Sequence, residues 1–126
     1  MGRPRQFSEA NAIAAATAVF ARRGFAGTSV DDLVRATGVN RASLYGTFGS
    51  KDGLFRRCLA TALDGLAGGQ SEAGRALDLV LVALMELAAG DPALAAELRR
   101  RLADAGVTAA ELGARALERA GAERAG

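Results

Sequence analysis

At 126 residues, half of them apolar, the chain is long enough for one domain or one and a half small ones and can bury a core. It has no histidine, which removes Ser-His and Cys-His catalytic pairs and any histidine metal site, and its single cysteine, Cys58, permits no internal disulfide. The net charge of +2 is divided unevenly: residues 1–57 hold nine Arg or Lys against four Asp or Glu, a balance of +5, while residues 58–126 hold seven against ten, a balance of −3.

In chain order, a first helix is expected from about Ser8 to Arg23, with Ile13, Ala16, Val19 and Phe20 on its inner face and Gly24 as its stop. Residues 28–51 then carry the densest local signals. Ser29 and Asp32 form a capping-box-like pair, and Asp31 and Asp32 put negative charge in the first turn of a second helix, where its dipole favours it. Val30, Leu33 and Val34 share a face, and Gly38 ends that helix because glycine reaches the left-handed region without steric cost. Asn40 caps a third helix. Val39 and Leu44 point inward across the turn, leaving Arg41, Ala42, Ser43, Tyr45 and Thr47 to face outward; Phe48 reads as core. Ser50 caps a fourth helix, Lys51 to about Leu66, burying Leu54, Phe55, Cys58, Leu59 and Leu63. Lys51 in its first turn is unfavourable for the dipole, which points to a task such as holding a phosphate.

Gly65, Gly68 and Gly69 loosen the chain, and a boundary is expected there. A fifth helix, Ser71 to about Ala89, is apolar on more than one face through Leu77, Val80, Leu81, Leu84 and Leu87, so it should be central. Asp91-Pro92 starts a sixth, with Leu94, Leu98 and Leu102 at four-residue intervals. Thr108 and Glu111 form a capping box for a seventh, which carries Leu112 and Leu117 and frays from Gly121 to Gly126. Asp78 and Glu86 read as surface charge on the fifth helix, the alternative being a pocket for a cationic ligand. Arg99, Arg100 and Arg101, like Arg22 and Arg23, read as solvated cations near helix C-termini.

The fold class is therefore all-α: a three-helix DNA-binding domain with a helix-turn-helix over residues 1–50, a connecting helix over 51–69, and a short helical domain over 70–126. The basic half is the half with the helix-turn-helix, as a nucleic-acid partner requires. A recognition helix, Asn40 to Thr47, would enter the major groove with its N-terminal residues at base edges. Arg41 is the best candidate for reading a base, because guanidinium bonds two acceptors on guanine; the plain reading is a solvated arginine. Ala42 lets the helix approach closely or touches a thymine methyl, and Ser43 bonds a phosphate or a base, or else only serves the Asn40 cap. Thr28 or Ser29 at one helix start and Lys51 at another would clamp the backbone, with Thr47 a weaker phosphate candidate. Arg3 and Arg5 form a basic arm beside Pro4 that reaches a neighbouring groove or phosphate, or is simply a tail.

Ala16, Phe20, Gly24, Phe25, Thr28, Ser29, Val30, Leu33, Gly38, Val39, Leu44, Tyr45, Phe48, Lys51 and Leu54 stand in one order and spacing. Through them the run from Ala12 to Phe55 resembles the DNA-binding domain of the tetracycline-repressor (TetR/AcrR) family of bacterial transcription regulators. Gly53 is a mild departure, since the family more often has a helix-favouring residue there. The resemblance implies that the Tyr45 hydroxyl meets a phosphate. It also implies a ligand pocket and a dimerising helix pair in the second domain. Here that domain is short, and the last helix pair has no counterpart in the sequence.

No signal peptide is visible, and the longest apolar run, Leu79 to Met85, is too short to cross a bilayer. The expectation is a soluble cytoplasmic protein with no membrane partner, no cofactor and no metal. No glycine-rich stretch matches a phosphate-binding loop with its lysine, so an enzyme is not expected. Three functions remain open: a sequence-specific regulator, most simply a repressor, binding double-stranded DNA as a homodimer and answering to a small-molecule inducer; a DNA-binding protein without ligand response; and a shortened relative that acts as the interaction partner of another subunit. The fifth helix, or Leu94, Leu98 and Leu102 with Leu112 and Leu117, would supply the dimer interface.

Overall fold

Helix boundaries in this protein coincide with residues that satisfy orphan backbone groups. In the computed structural model, which describes residues 7–69 and 73–125, no strand occurs among the described residues. The Ser8 hydroxyl accepts the Asn11 N–H at 3.1 Å to open α1 (Glu9–Arg23). Ser29 opens α2 (Val30–Thr37), Asn40 opens α3 (Arg41–Phe48) and Ser50 opens α4 (Lys51–Ala67). Gly65 lies inside α4, and the Gly68 N–H closes that helix on the Asp64 carbonyl. Arg3, Arg5 and Ser71 lie outside the described residues.

The fifth helix departs from the expected continuous element. α5 (Ala73–Val82) passes into a wide π turn (Ala83–Leu87) and then a 3-10 turn (Ala88–Gly90), with the Ala88 N–H reaching back to the Ala83 carbonyl. Ala76, Leu79, Val80, Val82 and Ala83 are buried, while Leu77, Leu81, Leu84 and Leu87 are only partly so. Asp91 then caps α6 (Pro92–Asp104), and Thr108 with Glu111 opens α7 (Ala109–Ala125).

One apolar cluster runs from Ala12 to Leu102 and joins α1 through α6 across the glycine turn. Phe20 and Phe55, both fully buried, meet edge-on at 5.1 Å, and the half-buried Phe25 packs on them, edge-on to Phe55 at 5.4 Å and stacked on Phe20 at 6.1 Å. α5 lies against both α1 and α4. Leu94, Leu98 and Leu102 are buried in this same core, so they are not available as a dimer surface; a stripe repeating every four residues does not reveal from sequence which neighbour covers it. Leu112 packs partly against the cluster, and Leu117 is exposed.

α7 is held differently. None of its described side chains is buried, and it docks on α5 through charge. Asp78, expected at the surface, is buried instead: Arg115 donates to both of its carboxylate oxygens, at 2.7 and 2.8 Å, and Arg119 lies at 3.3 Å. Arg119 also donates to the Ala21 carbonyl on α1 at 2.6 Å. Burial of a carboxylate is tolerated here because two guanidinium groups of the same chain satisfy it, and these also fill the cationic role a ligand would have played. Arg101 likewise crosses to Asp64 on α4 at 2.6 Å instead of standing in solvent, while Arg99 and Arg100 are exposed.

Candidate nucleic-acid interface

α2 and α3 are built by short-range caps. Ser29 and Asp32 exchange bonds, the Ser29 N–H donating to the carboxylate at 2.9 Å and the Asp32 N–H to the hydroxyl at 3.0 Å. These two bonds, together with Arg23 and Arg35 beside the carboxylate, hold the Asp32 pKa below its ordinary value. Gly38 ends α2 in the left-handed conformation at φ 73°, which a side chain would resist. The Thr37 hydroxyl donates to the Leu33 carbonyl at 2.8 Å and accepts the Val39 N–H at 3.1 Å, tightening the turn. The Asn40 side chain accepts the Ser43 N–H at 2.8 Å and starts α3.

Leu44 and Phe48, one turn apart, are buried beneath α3 together with Leu33 and Val39. The opposite face is thereby set: Asn40, Arg41, Ala42, Ser43 and Gly46 are exposed, and Tyr45 and Thr47 are half-buried at its edges. Gly46 carries no side chain into this surface, and an added Cβ would meet nothing within 4 Å. Sequence reasoning misses this residue, although an exposed glycine in a helix interior costs roughly 0.5–1 kcal/mol relative to alanine and so signals a position to inspect. Arg41 lies 3.6 Å from Asp31, both largely solvated, an ion pair of little energy that a polyanion would displace.

At the start of α2 the two hydroxyl residues part company. Ser29 is exposed at the cap, whereas Thr28 is fully buried and its hydroxyl donates to the Gly24 carbonyl at 2.6 Å. The Thr28 side chain is therefore a staple of the α1–α2 turn and is not presented to a phosphate. Lys51 is placed inward as well. Its ammonium donates to the Phe25 and Thr28 carbonyls at 3.0 and 3.1 Å and sits 4.4 Å from the Phe25 ring centroid. A cation in the first turn of α4 is thus accounted for by carbonyls of the α1–α2 turn, with no phosphate required.

The described residues hold no group of three or more His, Cys, Asp or Glu placed to bind a metal, and no helix long and apolar enough to cross a membrane. Cys58 is buried between α1 and α4 with its thiol on the Ile13 carbonyl at 3.5 Å, and burial pushes its pKa up to about 11. Beside it, an open groove of about 520 Å³ between α1, α4 and the start of α5 is lined by Ile13, Ala14, Thr17, Thr61 and Ala62 among others.

Residues 12–58 match the family described as bacterial regulatory proteins, tetR family. The chain is 48% identical over 58 residues to the HTH-type transcriptional repressor BdcR of Escherichia coli K12, covering 46% of this chain and 29% of that protein. It is 41% identical over 66 residues to the HTH-type transcriptional repressor ComR of the same organism, covering 52% of this chain and 31% of ComR. These matches thus span about a third of the relatives' own length. Among solved structures, a cysteine mutant of the TetR family transcriptional regulator CifR, complexed with 26bp double-strand operator DNA, is similar with a TM-score of 0.54 and 29% identity over 86% of this chain and 78% of that one.

Proposed function

We propose that the chain is a member of the tetR family of bacterial regulatory proteins, whose model its residues 12–58 match, and that it is a sequence-specific regulator of transcription, acting as a repressor on double-stranded operator DNA. The observation that carries this reading is the outer face of α3: Arg41, Ala42 and Ser43 stand exposed in its first turn while Leu44 and Phe48 anchor its back in the core. A helix so presented fits the major groove with its N-terminal residues toward base edges. Arg41 reads a guanine edge, and Ala42 and Gly46 let the backbone come close. Asn40 and Ser43 contribute polar contacts at the same end. Ser29, at the exposed N-terminus of α2, takes a backbone phosphate, with Tyr45 and Thr47 reaching phosphates along the rim. In this reading residues 1–50 are the reading head, 51–69 the connecting helix and 70–126 the supporting domain. One such head makes few contacts, so specific binding requires two copies on a palindrome. The working place of such a regulator is the cytoplasm, and it performs no catalysis.

The test is selection of the purified protein against a random duplex library at moderate salt, followed by sequencing. A recovered palindrome is the expected result, and its half-site spacing gives the dimer geometry. Absence of any enriched sequence would overturn sequence-specific reading.

A further inference from the structure

Between Leu79 and Gly90 the chain carries one charged residue, Glu86, in the π turn that interrupts the fifth helix. Its carboxylate crosses to the other half of the sequence. One oxygen accepts the Phe25 N–H at 3.1 Å and the other the Ala26 N–H at 2.9 Å. These two donors lie in the turn after α1, beyond any helical acceptor. The carboxylate lies close to the turn: a Cβ built on Gly24 would fall 2.5 Å from the Glu86 oxygen, and the φ of +83° at Gly24 is what favours glycine there. Glu86 stands within the π turn, whose last bond runs from the Ala88 N–H to the Ala83 carbonyl.

The same turn is gripped from its other side by Lys51, which takes the Phe25 and Thr28 carbonyls. Carboxylate on the N–H groups and ammonium on the carbonyls leave the segment 24–28 little freedom. That segment delivers the chain to Ser29, the cap of α2, and so sets where α2 and α3 stand relative to the core. We propose that Glu86 is a positioning residue for DNA reading, by which the second half of the chain holds the α1–α2 turn and orients the helix-turn-helix. The proposal rests on the DNA-binding function above, but the latch itself has a readout that needs no DNA.

The experiment compares the full chain with Glu86→Ala and Glu86→Gln by amide hydrogen exchange and by titration of the selected duplex. Glu86→Ala is expected to speed exchange at Phe25 and Ala26 about tenfold or more, because bonds to a charged acceptor are lost. Duplex affinity should fall by a similar factor, at unchanged helical content and unchanged protection of the Ser43 amide inside α3. Glu86→Gln, which keeps an acceptor oxygen, should recover part of both. Unchanged exchange at Phe25 and Ala26 would overturn the latch. Faster exchange with unchanged affinity would overturn the positioning role. Failure of the unsubstituted protein to bind any duplex would instead remove the proposed function, and the exchange rates would still decide the latch.

Discussion

Lys51 and Phe25 are joined twice: the lysine ammonium donates to the Phe25 carbonyl at 3.0 Å and lies over the Phe25 ring at 4.4 Å. Phe25 in turn packs against the fully buried Phe20 and Phe55. The first residue of α4 is therefore tied to the turn that precedes the helix-turn-helix and, through one ring, to the buried Phe20 and Phe55. This arrangement makes Lys51 a structural cation at the base of the reading head.

Lys51→Met should accordingly act on stability first. Loss of a charged donor from two carbonyls predicts destabilisation of about 1–3 kcal/mol, read as an earlier thermal transition by circular dichroism. The salt dependence of duplex binding should keep its slope. A slope reduced by about one unit, at unchanged thermal stability, would show instead that the ammonium neutralises a phosphate.

Arg41→Ala should relax sequence choice. Affinity for the selected palindrome should fall by about 1–3 kcal/mol per reading head, with binding to random duplex changed far less. Competition titrations of the two duplexes measure the difference. Equal losses on both would show that Arg41 contacts only backbone.

Asp78→Ala leaves Arg115 and Arg119 without their shared carboxylate. Breaking a partly buried pair from one side predicts a loss of roughly 1–3 kcal/mol, below the range for fully buried pairs because both guanidinium groups retain some solvent. α7 should lose protection in hydrogen exchange before α1 and α4 do, because none of its described side chains is buried. Simultaneous loss across all helices would mean that α7 is part of the cooperative core.

Acid should loosen the start of α2. The folded-state pKa of Asp32 is lowered, first by the Ser29 backbone bond, so its contribution to stability is present above the ordinary carboxylate pKa near 3.8 and is lost as pH falls through the lower folded value. Asp91, lowered chiefly by Arg56, behaves the same way at the start of α6. An Asp32→Asn variant should therefore show a shallower fall in thermal stability below about pH 4 than the unsubstituted protein. Parallel curves would exclude the cap as a contributor.

Base acts on Cys58 with the opposite sign. Its folded pKa is raised from 9.0 to about 11 by burial, so the folded state binds the proton more tightly. The associated stability is fully present below pH 9.0 and is lost as pH rises toward about 11. A thiol reagent at pH 8 should label Cys58 only as fast as the chain opens, with denaturant speeding the reaction sharply. Rapid labelling of the native protein would contradict the burial.

Helix starts and stops are legible in the sequence because caps act over three or four residues. Ser8, Ser29, Asn40, Ser50, Asp91 and Thr108 each bond a group within that distance, and the residue types alone announce it. The outer face of α3 is legible for a related reason: Leu44 and Phe48 repeat at helical spacing, and the remaining residues must face away. Charged and polar side chains are poorly legible. By sequence Asp78 reads as surface, Lys51 and Thr28 read as phosphate ligands, and nothing announces the Glu86 latch. Each finds its partner on another part of the chain or in a backbone group that carries no sequence signature.

The sequence by itself determined the helices, their order, and the helix-turn-helix with its basic setting, because capping, periodicity and charge balance are local properties of residue type. Only the tertiary structure decided where those helices meet: the break of the fifth helix into a π turn, the carboxylate of Glu86 on a turn 60 and 61 residues away, and the charged seam that holds α7. A long side chain with a charge has many partners compatible with its sequence position, and the fold selects one by bringing it within 3.1 Å. That selection depends on the packing of the whole core, which no window of the sequence contains.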